Sequence, residues 1–305
     1  MINVSQFVAI SSIALALTAF HGERAIAQSP LSPETVAAGA SSSTRTDSRI
    51  LYHDGAVMAG SSDIYLIWYG CWGTSTCSSW GAPAVMQVIT DFVSSLGASE
   101  YFRINAGYPD VNGNAPNGGL IYGGSAIDPY SRGATLTKAD LATIVNDQMA
   151  AAHVPVDPSG IYAVLTSADV AVSDSATSCN LHGESSFNGT RINYVFVGSP
   201  TFYPGGCGAE FDGQPSPNAN GAADATVLWL AHALNRIVTN PTGSGWYDRY
   251  GLENAQKCED TYGSTYIVTN ADGKLAEANI RLGQRHYLLQ QNWVNERKGR
   301  CAMSR

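Results

Sequence analysis

The apolar positions along this chain fall into short, separate rhythms. Asp63–Tyr69 is a β-branched and aromatic run, apolar on both faces and ending at Gly70, which predicts a strand buried inside a sheet. Val85, Val88, Ile89, Phe92, Val93 and Leu96 then recur at helical spacing. Pro83 stands at the first helical position and Gly97 as the residue just beyond the end. Gly, Pro and Asn dominate Gly107 to Gly133, so that stretch predicts loop, with a short strand at Leu120–Tyr122 at most. Thr137 and Asp140 form a capping box, Leu136 can staple onto Leu141, and Ile144 and Val145 continue the buried face of a second helix. Ile161–Thr166 and Ile192–Val197 predict two more buried strands, separated by a polar Ser/Asn/Gly segment that contains Cys179. A helix is expected over Ala222–Val238, stopped by Asn240-Pro241, and residues near Glu277–Trp293 carry mixed helical signals. No internal repeat is visible.

This order predicts an α/β protein, with a mixed α+β layout as the alternative: a central sheet flanked by helices in one domain spanning residues 50–305. The succession of elements is zincin-like. Strand order and direction cannot be read from it.

The N-terminus has a different pattern. Phe7 to Phe20 is an apolar run of signal-peptide length, and Ala25-Ile26-Ala27 is a small-x-small cleavage pattern, so 1–27 is expected to be a signal peptide with Gln28 opening the mature chain. The run is shorter than the roughly 18–20 residues that span a bilayer. Residues 28–49 are rich in Ser, Thr, Ala and Pro and predict a flexible leader. Nothing later resembles a second hydrophobic span, so no membrane span is expected in the mature chain.

Composition narrows the partners. The formal net charge is -8 and there is no Lys/Arg run, which argues against nucleic acid and anionic lipid. Charged residues make up only 14% and glycines number 31, a loop-rich and neutral-surfaced balance common in extracellular proteins, with a periplasmic location as the alternative. The cysteines are even in number: Cys71, Cys77, Cys179, Cys207, Cys258 and Cys301. In an oxidising compartment they predict disulfides. Proximity favours Cys71–Cys77, Cys179–Cys207 and Cys258–Cys301, although sequence alone does not choose among the connectivities. No C-x-x-C pair points to a structural zinc.

Several segments together resemble the EXORDIUM / phosphate-induced protein 1 family. Tyr52-His-Asp-Gly-Ala-Val-Met-Ala-Gly60 leads into Ile64-Tyr-Leu-Ile-Trp-Tyr-Gly70. Val164-Leu-Thr-Ser-Ala-Asp-Val170, Cys179-Asn-Leu-His-Gly183 and Tyr194-Val-Phe-Val-Gly198 follow in family order. Val238-Thr-Asn-Pro241, Gly245-Trp-Tyr247, Cys258, Tyr287-Leu-Leu289, Trp293 and Cys301 complete it. The chain departs from the family in its Cys71–Cys77 insertion and in lacking extra cysteines near Cys179 and Cys207. The resemblance implies an extracellular or wall-associated protein, linked in plants to growth and cell expansion, and it brings no defined enzymatic activity.

The sharpest chemical candidate is His232-Ala-Leu-Asn-Arg236, on a helix where a zincin would place His-Glu-x-x-His. Ala233 holds the position of the general base, and Arg236 that of the second ligand. Asn240 stands where bacterial relatives resemble a Thr-Asp-Pro pattern. An arginine stays protonated and has no lone pair for a metal. The favoured reading is therefore a buried helix, with His232 hydrogen-bonded inside among Val227, Leu228, Leu230, Leu234 and Ile237. If the site were functional, its residues would be His232, His182 and Asp248 and its cofactor zinc. The expectation is that no residue is catalytic and no cofactor is bound.

No G-x-S-x-G elbow, P-loop or G-x-G-x-x-G fingerprint occurs. Glu210, Asp212, Glu259 and Asp260 lie near cysteines and aromatics, but nothing fixes their separation. Trp68, Tyr69, Trp72, Trp80, Trp246, Tyr247 and Tyr250 are candidates for stacking on sugar rings, against the ordinary explanation of core packing. Asn188-Gly189-Thr190 is an N-glycosylation sequon. The expected function is binding of a cell-wall glycan or an extracellular protein without catalysis. A zincin-like metal-dependent hydrolase (peptidase) is the alternative.

Overall fold

The structure, a computed structural model, describes residues 49–73, 83–173, 179–200, 207–208, 211, 213–296 and 298–305, all within one unit from Ala40 to Arg305. The expected signal peptide (1–27), the leader up to residue 48, Cys77, Trp80, Glu210 and Asp212 lie outside the described residues.

A five-stranded sheet forms the centre, in the order β3-β2-β5-β8-β7. Its strands are β2 (Gly60–Tyr69), β3 (Pro116–Asp128), β5 (Ile161–Thr166), β7 (Asn180–Phe187) and β8 (Thr190–Val197). The first four positions in that order run parallel, and β7 closes the edge antiparallel to β8. Helices cover both faces. Ile64, Leu66, Trp68, Ile161, Ala163, Leu165, Val195 and Val197 point toward α1 (Pro83–Leu96) and α3 (Gly221–Thr239). The alternate residues Tyr65, Ile67, Tyr69, Tyr162, Val164, Tyr194 and Phe196 point toward α2 (Lys138–Ala150). A strand buried on both faces has no polar side to show, which is why these runs are continuously apolar. The fold is therefore mixed α/β around a mixed sheet.

Both leading helices match their patterns. The six apolar positions expected in α1 are its six buried residues. In α2 the Thr137 side chain accepts from the Asp140 N–H while the Asp140 carboxylate accepts from the Thr137 N–H, so the capping box is complete. Gly97 plays another part than the one expected. The left-handed residue after α1 is Ala98 (φ 62°), and a Cβ at Gly97 would lie 2.2 Å from the Leu120 carbonyl oxygen. Gly97 is there because β3 passes against it.

Three segments differ from expectation. The Gly-rich stretch expected to be mostly loop, with a short strand at Leu120–Tyr122, contains the longer β3, thirteen residues that pair with β2 from Gly60↔Pro116 to Tyr69↔Asp128. Its glycines mark irregularity and close approach. Gly123 is skipped where Ile64↔Tyr122 gives way to Tyr65↔Gly124, and a Cβ there would meet the Tyr65 ring at 2.4 Å. The polar segment after Cys179 is strand β7, which turns into β8 through Asn188 (φ 50°) and Gly189 (φ 79°). This is an Asn-Gly hairpin, and the sequon lies at its exposed tip. Finally, the mixed signals over Glu277–Trp293 resolve into short antiparallel pairs rather than helix. These are β10 (Tyr266–Thr269) with β11 (Leu275–Ala278), β12 (Ile280–Leu282) with β13 (Arg285–Tyr287), and β14 (Asn292–Val294) with β15 (Arg300–Ala302). Two further small pairs are β1 (Ile50–Tyr52) with β9 (Trp246–Asp248), and β4 (Thr135–Leu136) with β6 (Ala171–Val172).

Cys179 is bonded to Cys207, and Cys258 to Cys301. Two of the three favoured pairings are thus present; the third involves Cys77, outside the described residues.

Candidate functional site

Helix α3 places the candidate chemistry. Asn220 caps it by accepting from the Ala223 N–H, and the backbone N–H of Asn240 closes its other end on the Arg236 carbonyl. His232 and Arg236 are one turn apart and share a helix side. They face β7, where Asn180 and His182 share a sheet side because they are two residues apart. Glu253, from the loop after β9, completes the group.

The contacts are dense. Glu253 accepts from His182 Nε2 at 3.0 and 3.1 Å, from Arg236 Nε at 2.5 Å and from Asn240 Nδ2 at 2.7 Å, so both its oxygens are occupied. Burial alone would raise this carboxyl. Hydrogen bonding from His182 and the Arg236 charge outweigh it and hold the pKa at about 2. Arg236 also donates to Asn180 Oδ1 at 3.1 Å. Because that oxygen faces a guanidinium, the other end of the amide is an NH₂, and it lies 3.4 Å from His232 Nδ1. The imidazole must accept there, so its proton sits on Nε2. Burial, followed by repulsion from Arg236, lowers the His232 pKa to about 3, and the ring is neutral at physiological pH. His232 Nε2 and His182 Nδ1 are buried without hydrogen-bond partners among the described residues.

Arg236, a permanent cation with no lone pair for a metal, bonds both Glu253 and Asn180, and Glu253 already accepts donors at both oxygens. The third residue named from sequence, Asp248, is engaged elsewhere: it is fully buried, pairs with Lys257 Nζ at 3.1 Å, and accepts from the Tyr250 and Leu252 N–H groups. The structure therefore unites His182 and His232 and leaves Asp248 in a separate ion pair. Glu253 was missed from sequence, and no spacing signal announces it. A cleft of about 230 Å³ borders the group, lined among others by Asn180, Trp229, His232, Arg236, Gln256 and Glu259.

The aromatic candidates divide. Trp68, Tyr69 and Trp72 are core residues. Trp246 and Tyr247 are half-buried and Tyr250 is 59% exposed. Trp246 lines a second cleft of about 370 Å³ with Trp293, Arg49, Leu51, Asn295 and Lys298.

The profile of a family described as "Phosphate-induced protein 1 conserved region" matches residues 50–303. The chain belongs to this family. Like the resemblance read from its motifs, the match spans nearly all of the described fold. Among its relatives is Protein EXORDIUM-like 5 of Arabidopsis thaliana, 29% identical over 279 residues that cover 79% of this chain and 74% of that protein. Protein EXORDIUM, also of Arabidopsis thaliana, is 29% identical over 70% of this chain and 73% of its own length. Protein PHOSPHATE-INDUCED 1 of Nicotiana tabacum is 28% identical over 69% and 72% respectively. No solved structure matches the chain.

Proposed function

We propose that this phosphate-induced protein 1 family member is a secreted, non-catalytic protein that binds a glycan or a protein partner at the cell surface or wall. One observation carries the non-catalytic part: the buried carboxylate nearest the two histidines, Glu253, has both oxygens held by Arg236, His182 and Asn240. A general base needs a free lone pair within reach of its substrate, and a pKa near the working pH. Glu253 has neither, and His232 is too weak a base at a pKa of about 3.

Secretion is supported by the leader-like N-terminus and by two disulfides, which persist in oxidising compartments. Among the described residues no helix is long and apolar enough to cross a membrane. Binding is supported by the half-buried Trp246 in a cleft with polar and cationic neighbours.

Metal analysis of the purified chain, paired with calorimetric titration of plant and bacterial wall oligosaccharides, tests the reading. It expects no stoichiometric metal and measurable oligosaccharide binding. Stoichiometric zinc that is lost in His232→Ala would replace it with the zincin-like hydrolase.

A further inference from the structure

The cleft around Trp246 differs from the His232 site in that its charges form no ion pair among the described residues. Strand β1 forms one wall, pairing with β9 so that Tyr52 lies opposite Trp246 and Leu51 opposite Tyr247. The β14–β15 hairpin and its turn form the other. Asn295 Nδ2 donates to the Ile50 carbonyl at 3.1 Å and ties the two walls together, while Trp293 Nε1 donates to Asn295 Oδ1 at 3.3 Å.

The floor is rigid. Trp293 has the Lys257 ammonium 4.6 Å from its ring centroid, and the Gly299 backbone lies so close to the ring that a Cβ would fall 2.1 Å from it. Trp246 donates to the Pro109 carbonyl at 2.9 Å and meets Tyr108 edge-to-face, with centroids 5.4 Å apart. Both indoles are therefore fixed before any ligand arrives, which lowers the ordering cost of binding.

Charge sets the ligand class. The protein carries a formal charge of -8, yet the described residues that line this cleft include Arg49 and Lys298 and no carboxylate. Neither cation is in an ion pair among the described residues. The acid nearest Lys298 in sequence, Glu296, is bound by Arg305 at 2.6 Å. A neutral sugar would gain little from two unpaired cations, and a bare anion would gain little from an indole. A ring bearing a carboxylate uses both. The volume of about 370 Å³ falls in the range of roughly 300–1,000 Å³ typical of small-molecule clefts.

We infer that the cleft between β1 and the β14–β15 turn binds acidic sugar residues, that is, uronic acids of a glycan chain. The ring packs on Trp246, the carboxylate meets Arg49 and Lys298, and Asn295 ties together the two walls that carry them. The inference rests on the glycan-binding reading and narrows it to carboxylated glycans.

The test is calorimetric titration of the full chain with trigalacturonate and with neutral galactotriose, in low and in high salt. Trigalacturonate is expected to bind at least tenfold more tightly than galactotriose, and to weaken as salt screens the cations. Arg49→Ala and Lys298→Ala are each expected to weaken it about two- to fivefold, as exposed ion pairs do. Both positions are exposed, so unchanged melting temperatures serve as the folding control. Equal binding of the neutral trisaccharide, indifferent to both variants, overturns the inference while leaving the glycan reading in place. Equal competition by citrate also overturns it, because the cleft would then recognise charge alone. No binding of either trisaccharide overturns the inference, and no binding of any wall oligosaccharide overturns the glycan reading with it.

Discussion

Replacing Glu253 by Gln removes the charge at the centre of the α3–β7 group while nearly preserving its shape. Every neighbour of the carboxylate is a donor: His182 Nε2, Arg236 Nε and Asn240 Nδ2. A glutamine amide therefore turns one NH₂ toward a donor and leaves the Arg236 guanidinium, only 14% exposed, without its counter-charge. Two routes give the magnitude. The folded pKa of about 2 against 4.5 in the unfolded chain corresponds to about 3 kcal/mol at neutral pH. Breaking one side of a buried ion pair costs about 3–5 kcal/mol in other proteins. The lower figure is preferred, since Arg236 keeps some contact with water. Urea denaturation at pH 7 should then show E253Q less stable by about 3 kcal/mol, or a melting temperature lower by roughly 6–12 °C for a domain of this size.

The pH dependence supplies an independent check. A carboxyl whose folded pKa is depressed contributes stability that is complete above its unfolded pKa and lost as pH falls through the folded value. The gap between wild type and E253Q should therefore be constant above about pH 4.5 and close progressively toward pH 2. A gap under 1 kcal/mol at pH 7, or one that stays constant between pH 4.5 and 2.5, would refute the account of Glu253 as an ion-pair anchor.

Other outcomes follow from the same structure. Nitrogen NMR of the His232 ring should show the neutral Nε2–H tautomer from pH 5 to 8; an Nδ1–H tautomer would mean that Asn180 turns its oxygen, not its NH₂, toward the imidazole. Lys257→Met should cost about 3–5 kcal/mol by leaving Asp248 charged and fully buried, and Asp248→Asn in the same chain should restore part of it, as measured by denaturation midpoints. Removing Cys258–Cys301 with paired serines should cost about 4 kcal/mol, because the bridge closes a loop with a separation of 43 residues. Asp224 titrates in the opposite sense to Glu253. Burial raises its pKa from 3.8 to about 6, so its contribution is complete below pH 3.8 and lost as pH rises through 6. Asp224→Asn should abolish that decline in a stability–pH profile.

Local order was legible wherever short-range physics decides it. The Thr137–Asp140 box, the six-residue stripe of α1 and the β5 run could be read from neighbours within a few positions. At β3 and β7 that logic fails for two reasons. Glycines that read as loop are required where a bulge forms and where Tyr65 approaches Gly123 closely. The polar segment after Cys179, which shows no apolar alternation, forms an edge strand whose backbone bonds to β8 through an Asn188-Gly189 turn. Short pairs such as β12 with β13 are too brief to show a period.

By itself, the sequence determined the α/β class and the family, and it showed Ala233 and Arg236 where a His-Glu-x-x-His motif would carry Glu and its second ligand. Only the tertiary structure decided which groups surround His232. Glu253 is 17 residues beyond Arg236 along the chain, His182 is on another layer, and Asp248 belongs to a different ion pair. The cleft of Trp246 with Arg49 and Lys298 likewise joins segments from opposite ends of the domain. A side chain's type is set by the sequence. Its protonation and its partners depend on burial and on groups far away along the chain, which packing alone brings together.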